Sequence, residues 1–142
     1  MGPSGAWKPW ERVVRVAAFR PDGKVLATAG DDRKVRFWTI GRNARPMTLP
    51  AHRQVIYTLT YSSDGRMLAT GGFEREVRVY DGTDGRMLRV FQAPVADVRA
   101  VVFSPDGTRL AAAGGGGRIR IWDVDSGQVA LDIEGHGRRV NT

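Results

Sequence analysis

Cysteine is absent from the 142 residues, lysine occurs three times and histidine twice. Without cysteine there are no disulfides and no thiolate metal sites, which fits a reducing compartment, and the expectation is a cytoplasmic protein. No apolar run approaches the ~20 residues of a membrane span, and the N-terminus lacks the basic-then-apolar pattern of a secretory signal. Met1-Gly2 opens like an acylation signal, but Pro3 follows at once and Ala6 stands where a hydroxyl residue is wanted. Runs of basic residues are missing too. The net charge of +7 rests almost wholly on arginine, but the arginines are scattered among acids and Arg138-Arg139 is their only pair. A solvated surface is therefore favoured over one that binds nucleic acid. Length allows a single domain, and 42% hydrophobic residues with 26% charged is ordinary for a globular chain.

What the chain does have is a repeat with a step of 42. Phe19, Tyr61 and Phe103 share that spacing, as do Asp22, Asp64 and Asp106, Gly23, Gly65 and Gly107, and the aromatics Trp38, Tyr80 and Trp122. No insertion breaks the register. A period of 40 to 45 with Trp-Asp near its end marks a blade of four antiparallel strands, stable only when stacked beside others.

Apolar and polar residues alternate through four short segments per repeat, which predicts strands. They run over 14–19, 25–29, 34–38 and 47–49 in the first repeat, 56–61, 67–71, 76–80 and 87–91 in the second, and 98–103, 109–113, 118–122 and 128–133 in the third. Pro21-Asp22-Gly23, Ser63-Asp64-Gly65 and Pro105-Asp106-Gly107 predict tight turns between first and second strands. Thr83-Asp84-Gly85 and Asp125-Ser126-Gly127 do the same between third and fourth.

Val101-Val102-Phe103-Ser104-Pro105-Asp106-Gly107, Leu110-Ala111 and Ile119-Arg120-Ile121-Trp122-Asp123 resemble the WD-repeat β-propeller family, and the resemblance covers residues 13 to 136. It implies an all-β fold of three four-stranded antiparallel blades whose ring is completed by other blades. It also implies a hydrogen-bonded tetrad in each blade: a His before the first strand, a hydroxyl in the second, an acid in the turn to the third, and the third-strand aromatic. Carried over, the middle blade has His52, Thr70, Glu74 and Tyr80. The first has Thr28, Asp32 and Trp38, with Trp10 where His belongs. The third keeps Trp122 alone, beside Pro94, Ala112 and Gly116, and is expected to rely on apolar packing by Ala111, Ala112 and Ala113.

The expected organisation is an extension over 1–12, blades over 13–54, 55–96 and 97–136, and an overhang over 137–142 into a fourth repeat. There His136 falls at a tetrad position, expected to complete the first-blade tetrad of a neighbouring copy. Three blades leave two apolar faces open, so the expected partners are two or three copies of the chain itself, giving six or nine blades, or further blades of a longer chain.

Catalysis finds no support, because the two histidines occupy equivalent repeat positions and neither has a nucleophile placed beside it. No cofactor or metal is expected. Asp123-Val124-Asp125-Ser126-Gly127 has the alternate oxygens that open a calcium loop but lacks the distal Glu, and Gly114 to Gly117 lacks the Lys-Ser/Thr of a phosphate loop. Both read as turns. The resemblance instead implies a partner-contacting face for a protein or peptide, built from Val13, Arg15 and Asp31, then Val55, Tyr57 and Phe73, then Asp97, Arg99 and Gly115. Arg36, Arg78 and Arg120 recur at one third-strand position and read as cross-strand or stacking pairs.

Overall fold

The computed structural model describes residues 13–41, 45–50 and 52–134. These form twelve strands and no helix. The first sheet is β1 (Val14–Phe19), β2 (Val25–Gly30), β3 (Lys34–Thr39) and β4 (Met47–Pro50). The second is β5 (Ile56–Tyr61), β6 (Met67–Gly72), β7 (Glu76–Asp81) and β8 (Met87–Gln92), and the third is β9 (Val98–Phe103), β10 (Arg109–Gly114), β11 (Arg118–Asp123) and β12 (Val129–Glu134). Each sheet is antiparallel with its strands in chain order.

Second and third strands run one residue beyond their expected ends because backbone pairing continues there, as in Val25↔Thr39 and Met67↔Asp81. The last strand lies one residue later than expected. A register shift between Ile121 and Trp122 pairs Trp122 with Val129, leaving Gln128 in the turn. Residues 1–12 and 135–142, with Trp10 and His136 among them, lie outside the described residues.

Turn chemistry follows the sequence. Gly23, Gly65 and Gly107 take φ of 73°, 75° and 76°, values open to a residue without Cβ. In the third turn the Asp106 carboxylate accepts from the Thr108 N–H and from the Ser104 and Thr108 hydroxyls. These bonds, led by the Thr108 N–H, hold its pKa down to about 2. Asp123 likewise accepts from the Ser126 N–H within a turn that Gly127 closes at φ 77°.

The blades stack in chain order with β1 against β5 and β5 against β9. Apolar residues on both faces of a strand fill the two junctions. Ala27, Ala29, Val35 and Phe37 of the first blade meet Ile56, Leu59, Leu68 and Tyr80 of the second. Ala69, Val77, Val79 and Phe91 then meet Val98, Val101, Leu110, Ala112 and Trp122 of the third, with Phe91 and Trp122 rings 4.9 Å apart. The three alanines all lie in β10, as expected. Only Ala112 enters the junction; Ala111 and Ala113 point to the opposite, uncovered face because adjacent strand residues alternate.

Candidate interaction rim

The first strand of every blade carries a bulge near its start. Pairing shifts between Val14 and Val16 opposite Gly30 and Ala29, between Ile56 and Thr58 opposite Gly72 and Gly71, and between Val98 and Ala100 opposite Gly114 and Ala113. The extra residues are Arg15, Tyr57 and Arg99. A bulge leaves one residue out of the ladder and redirects its side chain, so the three reach the same end of the stack.

Glycine makes the bulge. A Cβ on Gly30, Gly72 or Gly114 would collide with the carbonyl oxygen of Val13, Val55 or Asp97 respectively. Two of those carbonyls are engaged from the next turn, Val13 accepting from the Asp31 N–H at 3.0 Å and Val55 from the Phe73 N–H at 2.9 Å. First-strand opening and turn tip are thereby locked together. Sequence reasoning passed over these glycines, although their spacing of 42 was visible.

Rim residues pair within each blade, and Arg99 of the third blade reaches over Tyr57 of the second. Arg15 is paired with Asp31 through Nε and Nη2, and its guanidinium pKa is raised by that hydrogen bond. Arg99 donates from Nε to Asp97 at 2.8 Å, and its guanidinium carbon sits 5.3 Å from the centre of the Tyr57 ring. Phe73 stands edge-on to Tyr57 with centroids 6.3 Å apart and remains 54% exposed. Asp97 lies beneath Gly115, whose Cβ would come within 3.0 Å of Oδ1. Val13 is exposed and Val55 half-buried.

Beneath the rim of the middle blade lies a buried polar chain. His52 Nδ1 is 2.6 Å from Glu74 Oε1, and Nε2 is 2.5 Å from Thr70 Oγ1. A carboxylate can only accept, so Nδ1 carries the proton and Nε2 of the neutral ring accepts from the Thr70 hydroxyl. The Tyr80 hydroxyl is hydrogen-bonded to Arg78 and Thr70, and burial raises its pKa. In the first blade Trp38 Nε1 donates to Thr28 Oγ1 at 3.0 Å. Asp32 pairs with Arg36 and accepts from the Lys34 N–H. Arg78 pairs with Glu76, and Arg120 with Asp132 across the β11–β12 ladder. Trp122 is held by packing alone among its tetrad positions.

Burial depresses the His52 pKa, working against the Glu74 hydrogen bond that raises it. The unfolded chain therefore binds the proton more readily than the folded one. Stability conferred by neutral His52 is full above its unfolded value of ~6.5 and is lost as pH falls below it. The depressed carboxylates Asp22, Asp64, Asp81, Asp106, Asp123, Asp132 and Glu76 act in the same direction, but below about pH 4. Melting temperature is thus expected to drop between pH 7 and pH 5, and His52→Gln to flatten that dependence. An unchanged slope in the variant would assign the drop elsewhere.

Among the described residues no group of three His, Asp or Glu is placed to hold a metal ion. A family profile described as "WD domain, G-beta repeat" matches residues 8–39, 44–81 and 85–123. The chain belongs to the WD40 family. A stretch of 46 residues, 32% of this WD40 chain, is 46% identical to the general transcriptional corepressor TUP1 of Saccharomyces cerevisiae and spans 6% of that protein. Two solved structures, of U3-55K and of the RRP9 WD40 repeats, superpose on 89% of the chain with TM-scores of 0.84 and 0.83 at 18% identity. The chain spans 41% and 40% of those two proteins. At that identity the likeness establishes the fold, an all-β arrangement of propeller blades.

Proposed function

We propose that the protein is a non-enzymatic protein-interaction module of the cytoplasm. Its three WD40 blades complete a propeller with further blades and offer the rim to a protein or peptide. The observation that carries this reading is the contrast among repeat-equivalent positions. Trp122 is 2% exposed and Tyr80 equally buried, whereas Trp38 is 39% exposed. At the other end, Val35 and Val77, Phe37 and Val79 are buried, whereas the matching Ile119 and Ile121 are only half-buried beside exposed Val102 and Leu131.

Each open face is of the kind that the internal junctions cover. The first blade presents what the second blade presents to the first, and the third presents what the first presents to the second. A second copy docked head to tail would repeat junctions already present, and two copies would give six blades, within the usual four to eight. A second reading places the covering blades in one longer polypeptide. It is favoured by the solved WD40 chains, of which this one spans about two fifths.

Light scattering separates the two. Self-assembly predicts a mass that is a multiple of 15.6 kDa, falling to one chain in Val102→Asp, which puts a charge on the exposed third-blade face. A monodisperse 15.6 kDa species with a cooperative melt would overturn self-assembly and leave the longer-polypeptide reading.

A further inference from the structure

The rim has a defined polarity. In both rim ion pairs the guanidinium is the more exposed partner, with side-chain exposures of 46% for Arg15 against 27% for Asp31, and 57% for Arg99 against 16% for Asp97. The carboxylates sit behind and hold the guanidinium groups in place. Outward the rim offers N–H donors from Arg15 of the first blade and from Arg99 of the third, whose guanidinium lies over the Tyr57 ring. The exposed ring of Phe73 adds an apolar step against the Tyr57 edge. Donors come from the first and third blades and rings from the second, so a ligand must lie across all three.

Taking the rim as the contact surface, as proposed above, we infer that it binds an extended acidic segment of a partner protein. One carboxylate meets Arg15, another meets Arg99, and an apolar side chain between them packs on Phe73. Arginine suits this role because its planar fork can accept a second carboxylate while keeping the first. The net charge of +7 draws such a segment in over distance. Nucleic acid is disfavoured, since Arg99 already covers the Tyr57 face on which a base would stack.

The test is fluorescence polarisation of the full chain with a labelled short peptide alternating glutamate with leucine and phenylalanine. The matched probes carry glutamine, lysine or phosphoserine in place of glutamate, and a single-stranded oligonucleotide completes the panel. The acidic peptide is expected to bind, the glutamine version to bind about tenfold more weakly, and added salt to weaken the acidic peptide alone. Arg15→Gln, Arg99→Gln and Phe73→Ser should each reduce its affinity about tenfold with melting curves unchanged. Preferential binding of the lysine peptide, the phosphopeptide or the oligonucleotide overturns the inference. If glutamate and glutamine peptides bind alike and only Phe73→Ser weakens them, the rim stands as a contact surface and its acidic preference falls. If no peptide of the panel binds, the inference fails together with the rim reading.

Discussion

Trp122→Ala is expected to lower the stability of the protein by about 3–5 kcal/mol, whereas Trp38→Ala, at the same place in the repeat, is expected to cost about half of that or less in dilute solution. The Trp122 indole lies in the junction against Phe91, among Leu110, Ala112 and Val79, and its removal opens a cavity between two packed sheets. Trp38 is hydrogen-bonded to Thr28 but remains 39% exposed, with no blade over it among the described residues. Denaturant melts at several protein concentrations distinguish the two. The Trp122 loss should be independent of concentration, and the Trp38 loss should grow with it if copies cover that face, because association stabilises by mass action. Equal losses at every dilution would show that the first blade's open face is covered within a single chain.

Gly72→Ala is expected to cost on the order of 3 kcal/mol, at the upper end for an added methyl, because the new Cβ meets the backbone carbonyl of Val55 rather than a movable side chain. Relief would require the Tyr57 bulge to open and the Phe73 N–H to leave that carbonyl. The variant should therefore lose the Tyr57–Phe73 ring contact as well as stability, seen as shifted aromatic NMR resonances. A melt within about 0.5 kcal/mol of the parent, the usual range for a neutral surface change, would mean that the bulge does not depend on this approach.

Much of the fold was legible because turn chemistry and strand alternation recur at one step. Asp-Gly pairs at 22–23, 64–65 and 106–107 mark the hairpins, and the register between them leaves room for one strand arrangement. Which face of each strand would be covered was not legible. A stacked blade is apolar on both sides, so Ala111, Ala112 and Ala113 look alike in sequence although only the middle one is in the junction. The resemblance points to the rim residues but not to their contacts, because Arg99 meets Tyr57 across two blades and no local pattern encodes that meeting. The resemblance places Asp32 in the first-blade tetrad, whose His position lies outside the described residues. Arg36, four residues along the same hairpin, pairs with its carboxylate.

Among the described residues every hydrogen-bonded ladder closes inside its own sheet. Across the junctions run packed side chains and a few bonds from side chains to carbonyls, such as Arg20 to Gly82 and Ser63 to Pro105. Cutting the polypeptide between blades and rejoining it elsewhere would therefore sever no ladder. A gene built this way can gain, lose or rotate its blades by copying one unit of 42 codons, provided each new neighbour brings a face of matching shape.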